Sequence, residues 1–145
     1  MWKAIFHSSF GDKMRNFDTD IIRVINAFEN ITGTEVRDCV CSDTVYFLIN
    51  PGKMAIAIGK NGQNIKTAEK MLKKPIKIFE WSEDCGQFIK NMIPSAQKIG
   101  LNGDKASISI EKESRGIVIG RKGCNIKVIR EFLIRNSNIK DLKIL

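Results

Sequence analysis

The spacing of hydrophobic residues in the first third of the chain predicts one helix followed by two strands. Between residues 17 and 31 the apolar positions recur every three or four residues, as on one face of a helix. Asp18 precedes this segment as a candidate N-cap, and Gly33 follows it as a candidate stop. Val36–Cys41 and Val45–Ile49 are short, rich in β-branched or aromatic residues, and separated by a polar turn, so both are predicted strands.

Glycine and proline punctuate the next segment. Asn50-Pro51-Gly52 breaks the chain, and a short apolar helix over residues 54–58 leads to the sequence Gly-Lys-Asn-Gly. A second helix over residues 63–72 follows, with Pro75 as its predicted end, and residues 76–81 are a predicted strand. The predicted order is helix, strand, strand, helix, glycine loop, helix, strand.

The second half of the chain repeats this order. Ser82 is the predicted cap of a helix that has two acidic residues in its first turn and ends before Pro94. The following elements are predicted strands at 95–101 and 106–110, a short segment at 114–119, a helix at 125–135 and a strand at 141–145.

An internal repeat explains this similarity. IGKNGQNIK at residues 58–66 and IGRKGCNIK at residues 119–127 are 61 positions apart, and over residues 54–74 eight of 21 positions are identical between the copies. A repeat overrides the expectation of one domain for a 145-residue chain. We therefore expect an N-terminal extension (1–16) and two modules (17–81 and 82–145). No linker separates the modules, which predicts a fixed relative orientation.

The positive charge of the chain is concentrated around the two glycine loops. The net charge is +8, but residues 53–77 alone hold seven lysines and one glutamate, and residues 112–130 hold six basic side chains and one glutamate. Focused positive charge favours a polyanionic partner, although a solvated lysine-rich helix face is the simpler alternative. No apolar run is long enough to cross a membrane and no signal peptide is recognisable, so we expect a cytoplasmic protein without membrane partners.

The sequence offers little support for catalysis, metal binding or a cofactor. The four cysteines form no CxxC pair and the single histidine is His7, so buried thiols are expected, with metal or disulfide roles as alternatives. Lys66-Thr67 resembles the end of a phosphate-binding loop, but Ile65 stands where that motif needs glycine. We predict no enzyme, no metal, no cofactor and no small-molecule substrate.

The glycine loops combine features that suit a sugar-phosphate backbone. Glycine allows positive φ and close approach, and the helix that follows presents its positive dipole end. Lys60, Arg121 and Lys122 add full charges. The isoleucines around each loop are predicted either to line a groove for bases or to belong to the core, and Asn64 and Asn125 either to stabilise the loop or to contact nucleic acid.

The pattern I-G-x-x-G-x-x-I resembles the signature of KH domains, in which such a loop clamps nucleotides of a single strand. A helix before the first strand resembles the type II variant, and the tandem arrangement, with EWSEDCGQFIKNMIPSA at the junction, resembles NusA transcription factors of the short archaeal type. The resemblance implies an α+β fold of two tandem type II KH domains, each a three-stranded sheet packed against helices.

The same resemblance implies a function. We expect a factor that binds nascent single-stranded RNA during elongation, pausing, termination or antitermination, with RNA polymerase as a further candidate partner. A ribosome-associated or other KH-type RNA- or protein-binding module is the alternative, because type II KH domains also occur in ribosomal proteins. The predicted RNA-binding residues are Ile58, Gly59, Lys60, Asn61, Gly62, Asn64, Ile65, Lys66, Ile119, Gly120, Arg121, Lys122, Gly123, Asn125, Ile126 and Lys127.

Overall fold

The computed structural model describes residues 18–145, with side chains from Asp20 onward. The predicted N-terminal extension (1–16) and residue 17, the first of the predicted helix, lie outside the described residues. The side chain of the predicted cap Asp18 lies outside the described side chains. Contacts within the chain divide it between Glu80 and Trp81 into two compact units. Among the described residues no helix is both long and apolar enough to cross a bilayer.

Unit 1 is a three-stranded sheet with three helices. Its elements are α1 (Asp18–Thr32), β1 (Val36–Cys41), β2 (Val45–Ile49), α2 (Met54–Ile58), a single 3₁₀ turn (Lys60–Gly62), α3 (Gln63–Leu72) and β3 (Ile76–Glu80). β2 is the central strand, antiparallel to β1 and parallel to β3, with Val45 opposite Ile76. Because a parallel connection needs a crossover, the chain between β2 and β3 must leave the sheet, and it carries α2, the turn and α3 there.

The core of unit 1 lies between α1, α3 and one face of the sheet. Phe28 of α1 stacks on Phe47 of β2 with ring centroids 4.0 Å apart. Both are fully buried, and Ala57 of α2 and Ala68 of α3 close the same cluster. The small alanine side chains allow α2 and α3 to approach this core closely. The glycine turn between them is thereby anchored on both sides by buried residues.

Unit 2 repeats the architecture. Its elements are α4 (Cys85–Met92), β4 (Ala96–Asn102), β5 (Lys105–Ile110), α5 (Lys112–Ile119), a 3₁₀ turn (Arg121–Gly123), α6 (Cys124–Asn136) and β6 (Asp141–Ile144). β5 is central, antiparallel to β4 and parallel to β6. The alternation of buried and half-exposed residues along β5 shows that one sheet face is covered. Its fully buried large side chains are Phe88, Ile89, Ile93, Ile108, Ile129, Phe132, Leu133 and Ile139.

The predicted α+β class and the element order are confirmed, and four elements of unit 1 have the predicted bounds at both ends: β1, β2, α2 and α3. Other bounds differ by one or two residues, among them β3, which ends at Glu80 and not at 81. Gly33 ends α1 as expected, with φ +67° and its N–H donated to Glu29 O at 2.8 Å.

The residue that caps α4 and the residue that terminates α3 differ from those predicted, although α3 ends at Leu72 as expected. Asp84, not Ser82, caps α4, since its carboxylate accepts from the Gln87 N–H at 2.9 Å. Ser82 acts two residues earlier, where its hydroxyl accepts from the Asp84 N–H. Pro75 does not end α3. Lys73 does so, in a left-handed conformation (φ 59°, ψ 33°) that returns its N–H to Glu69 O. Lysine carries no sequence signal for that conformation, which glycine or asparagine usually provides.

Candidate nucleic-acid interface

The loop of unit 1 is a tight turn with three positive φ angles. Gly59 (φ 79°) ends α2, and Asn61 (φ 57°) and Gly62 (φ 72°) follow in succession before α3 begins. Gly62 donates its N–H to Gly59 O at 3.1 Å, which closes the turn. No described side chain caps the first turn of α3. The positive end of the helix dipole therefore faces outward beside Lys60, which is exposed.

The loop of unit 2 has nearly the same conformation. Gly120 has φ 78°, Lys122 φ 56° and Gly123 φ 73°, and Gly123 donates to Gly120 O at 3.1 Å. Arg121 and Lys122 are both exposed. Lys122 occupies a conformation that costs an ordinary L-residue roughly 1–2 kcal/mol, whereas the corresponding Asn61 belongs to the residue types that accept it readily.

An asparagine fastens each turn to the preceding helix. Asn64 donates from Nδ2 to Ile56 O at 2.9 Å, and Asn125 donates from Nδ2 to Val118 O at 2.9 Å. Asn125 is only 8% exposed. These bonds identify both asparagines as groups that stabilise the loop, one of the two roles predicted from sequence.

The first glycine of each loop is required by this fastening. A Cβ on Gly59 would lie 2.8 Å from Asn64 Cγ and 2.9 Å from Asn64 N, distances that real Cβ atoms essentially never show. Together with its positive φ, this contact excludes any larger residue without a shift of the turn. The asparagine, and with it the first turn of α3, therefore fits tightly against the glycine backbone.

Most isoleucines around the loops are not core residues. Ile56 is 51% exposed and Ile117 is 77% exposed, and Ile58 and Ile119 are exposed as well. The core alternative holds fully for Ile126, which is buried, and in part for Ile65, which is half-buried and packs against the core of unit 1. Exposed isoleucines in matching positions of both units give each loop an apolar border.

In unit 1 this border continues into a groove of about 420 Å³. The size is within the range of small-ligand sites. The groove lies between α2, the loop, α3 and β3. Its lining residues are Met54, Ile58, Gly62, Ile65, Lys66, Glu69, Ile76 and Ile78.

The structure brings the predicted site residues of each unit together around its own loop. In unit 1, Ile58, Gly62, Ile65 and Lys66 line the groove, Lys60 and Asn61 lie exposed on the turn, and Gly59 and Asn64 hold its shape. In unit 2, Arg121 and Lys122 lie exposed on the turn and Lys127 is exposed on α6, whereas Ile126 is buried in the core.

Sequence reasoning missed two residues on the helices that follow these loops. Glu69 of α3 lines the groove of unit 1, and its Oε2 accepts from the Ile76 N–H at 3.0 Å. Arg130 of α6 donates to Leu142 O from Nε at 3.2 Å and from Nη2 at 3.1 Å. The two positions are 61 residues apart and therefore correspond in the repeat. They were not predicted because the residues at this position of the two copies differ in charge.

The cysteines form no metal site or disulfide among the described residues. Cys39 is buried in the core of unit 1 and the other three are half-buried, so the expectation of buried thiols holds fully only for Cys39. Cys39 and Cys41 share a face of β1, with sulfur atoms 3.8 Å apart.

Comparison with known proteins places this fold and its loops in a family. The family model for the KH domain matches residues 23–83, which run from within α1 to just beyond β3 and include the first glycine loop. The probable transcription termination protein NusA of Methanocaldococcus jannaschii is 34% identical, over 88% of this chain and 73% of that protein. The chain belongs to the archaeal NusA family.

Other NusA relatives agree with this assignment. The probable transcription termination protein NusA of Methanococcus vannielii is 33% identical over 88% of this chain and 78% of its own length, and that of Halococcus morrhuae is 28% identical over 85% and 93%. A crystal structure of APE1850 superimposes with a TM-score of 0.67 at 26% identity, covering 86% of this chain and 96% of that one. A NusA-type KH protein is not an enzyme, as the sequence predicted.

Proposed function

We propose that this protein is a non-catalytic RNA-binding transcription factor in which each unit, acting as a type II KH domain, holds single-stranded RNA at its glycine loop. The observation that carries the proposal is the turn itself. In both units an exposed backbone turn with a glycine at each end stands at the start of a helix and beside exposed cations. Backbone amides, a helix dipole and fixed charges together suit a phosphate.

The apolar border supports a single strand as the ligand. A duplex keeps its bases stacked inside, whereas an unpaired base can enter an apolar groove and contact exposed isoleucines. Ile56 and Ile58 of unit 1 lie beside the turn that would hold the phosphates. Aromatic side chains are not among the residues that line the groove, so aliphatic contact, not stacking, would hold the base.

The family supports the cellular role. Several relatives are named as probable transcription termination proteins, and we propose that this protein likewise acts on nascent RNA in elongation, pausing, termination or antitermination, in the cytoplasm and in association with RNA polymerase. Cosedimentation with RNA polymerase would support this role. Cosedimentation with ribosomes alone would favour the ribosome-associated alternative.

Charge reversal in the loops tests the binding proposal. Lys60→Asp with Asn61→Asp, and separately Arg121→Asp with Lys122→Asp, place carboxylates where phosphates are proposed to lie. Aspartate tolerates positive φ and suits a helix N-terminus, so circular dichroism should be unchanged. We expect weaker binding of a short mixed-sequence single-stranded RNA by both variants, with the larger loss at Arg121 and Lys122, where two cations are removed.

The control for the Arg121 and Lys122 variant likewise replaces two cations with two carboxylates, but far from the loop. Lys105 and Lys140 are exposed and lie beyond the C-terminal end of α6, a helix of 13 residues that rises about 20 Å. Lys105→Glu with Lys140→Glu should leave most of the affinity intact. Equal losses in the control and in the loop variants would indicate a non-specific attraction of charge and would contradict the proposed loop contact.

A further inference from the structure

Glu69 and Arg130 occupy one structural position with opposite hydrogen-bonding character. Ile76 is paired with Val45 in the sheet of unit 1, and Leu142 is paired with Ala106 in the sheet of unit 2. Val45 and Ala106 are 61 residues apart, as are Glu69 and Arg130. The same helix position thus reaches the same strand position in each unit, where Glu69 accepts from an N–H and Arg130 donates to a carbonyl oxygen.

Each of these bonds orients a charged group and uses only part of its hydrogen-bonding capacity. A carboxylate is an acceptor with about four lone-pair sites, and the Ile76 N–H uses one of them. A guanidinium has five N–H donors, and Leu142 O receives two of them. In unit 1 this oriented carboxylate is part of the groove lining, together with Ile58 and Ile65.

The RNA bases differ in the groups that such side chains recognise. Adenine carries an exocyclic amine, which donates, and no exocyclic carbonyl, whereas uracil carries carbonyl oxygens, which accept, and no exocyclic amine. Cytosine and guanine carry both kinds of group. At their exocyclic groups, adenine and uracil are therefore the two bases between which a carboxylate and a guanidinium should have opposite preferences.

We propose that Glu69 and Arg130 set the base preference of the two units, so that unit 1 favours adenine over uracil and unit 2 favours uracil over adenine. This inference rests on the proposed function, since it requires RNA to bind beside the loops. The protein would then read two different bases along one strand with two copies of one fold.

The two charged side chains also have a structural role, and the test must separate it from recognition. Glu69→Gln achieves this in unit 1, because the glutamine carbonyl can still accept from the Ile76 N–H while the amide nitrogen replaces an acceptor with a donor. In unit 2, Arg130→Gln keeps a donor for Leu142 O and adds an acceptor. Arg130→Lys keeps a cation that only donates and is the conservative control.

Each unit is read in a full-length chain whose other loop has been silenced. Unit 1 is measured with Arg121→Asp and Lys122→Asp present, and unit 2 with Lys60→Asp and Asn61→Asp present. The probes are oligoadenosine and oligouridine of equal length, and the readout is the ratio of their dissociation constants. Comparison of variants on the same two probes cancels the self-stacking of oligoadenosine.

We expect Glu69→Gln to shift the ratio of unit 1 towards uracil by roughly tenfold, in line with the discrimination that good base contacts provide. Arg130→Gln should shift the ratio of unit 2 towards adenine, and Arg130→Lys should leave it nearly unchanged. Melting temperatures should be close to that of the parent chain, because the bond to β3 or β6 is kept.

The outcomes distinguish the inference from the function on which it rests. Absence of binding by the parent chain to mixed-sequence single-stranded RNA would overturn the proposed function itself. Binding that persists with unchanged ratios in both Glu69→Gln and Arg130→Gln would overturn the base-preference proposal alone. If either glutamine variant fails to fold, the ratio measured for the other unit still decides the question.

Discussion

A Cβ on Gly120 would lie 2.6 Å from the Cβ of Asn125, closer than two such carbons can approach. The backbone of α6 sets the position of the Asn125 Cβ, and the bond to Val118 O holds the rest of the side chain, so rotation of the side chain cannot relieve the contact. The conformations of the glycine and the asparagine therefore depend on each other. The glycine leaves space for the asparagine, and the asparagine fixes the turn in which Arg121 and Lys122 are displayed.

This contact predicts that the two glycines of a loop differ in their tolerance of substitution. Gly120→Ala adds a clash to an unfavourable φ, and we expect it to lower the free energy of unfolding of unit 2 by roughly 3 kcal/mol or more. Gly123 also has positive φ, but no other atom lies within 4 Å of the position that a Cβ on this residue would occupy. Gly123→Asn should therefore cost less than about 1 kcal/mol.

Urea denaturation measures both effects. Trp81 belongs to unit 2 and donates from Nε1 to Asn136 O, so its fluorescence in a Trp2→Phe background should report the unfolding of that unit. Equal destabilisation by Gly120→Ala and Gly123→Asn would show that backbone conformation alone, without the asparagine contact, decides the cost.

The asparagines themselves are predicted to differ in importance. Asn125 is buried and its amide bond to Val118 O is shielded, so Asn125→Ala should destabilise unit 2 by about 1–3 kcal/mol. Asn64 makes its bond to Ile56 O in an exposed setting, where water can replace the lost partner, and Asn64→Ala should cost unit 1 clearly less. Thermal denaturation monitored by circular dichroism provides the comparison, and a larger loss for Asn64→Ala would contradict it.

Much of the architecture could be predicted because hydrophobic pattern and repeat agree. The bounds of β1, β2, α2 and α3 were correct, since changes of hydrophobic period coincide at their ends with polar turn residues, glycine or proline. Position 73 was missed because lysine seldom adopts the left-handed conformation that ends α3 there. The Asp84 cap was missed because serine, glutamate and aspartate stand side by side before α4, and the pattern cannot rank them.

The predicted site residues included the loop cations, which differ between the copies, but not Glu69 and Arg130. The glycines and asparagines repeat, and their shared role follows from one geometry. Exposure of Ile56 and Ile117 could not be decided from sequence, because a helix of five or eight residues gives too few turns to separate its core face from its open face. Glu69 and Arg130 could have been found in the sequence as a pair of corresponding repeat positions with opposite charge.

Cys41 is predicted to react faster than an ordinary thiol. The hydrogen bond from Cys39 is the main cause that lowers the pKa of Cys41, burial acts in the opposite direction, and the charge of Lys74 adds a further lowering. A lowered pKa means a larger thiolate fraction at any pH below it, and thiolate is the form that is alkylated. Cys39→Ala should therefore raise the pKa of Cys41 and slow its alkylation near neutral pH.

Iodoacetamide labelling followed by peptide mass spectrometry measures the rate at Cys41 as a function of pH. Cys39→Ser is the matched control, because a hydroxyl can still donate a hydrogen bond to the Cys41 sulfur. A Cys41 labelling profile that is the same in the parent chain, Cys39→Ala and Cys39→Ser would show that the Cys39 bond has no influence on the thiolate.

Lys122 is predicted to exchange stability for affinity. Its φ of 56° is unfavourable for lysine, and the corresponding Asn61 has the same conformation at lower cost. Lys122→Asn should therefore raise the free energy of unfolding of unit 2 by about 0.5–1 kcal/mol. The same change removes one cation from the loop, so it should weaken RNA binding and reduce the log–log salt slope by about 0.7 if that lysine neutralises one phosphate.

The reciprocal variant completes the test in unit 1. Asn61→Lys should lower the stability of that unit and increase both its affinity for single-stranded RNA and the salt dependence of binding. Salt titrations of RNA binding and urea denaturation, measured on both variants, give the direction of the change in affinity and in stability for each. A general effect of surface charge would weaken binding but would not relieve the backbone strain. A Lys122→Asn variant that binds more weakly without being more stable would therefore contradict the strain assigned to Lys122.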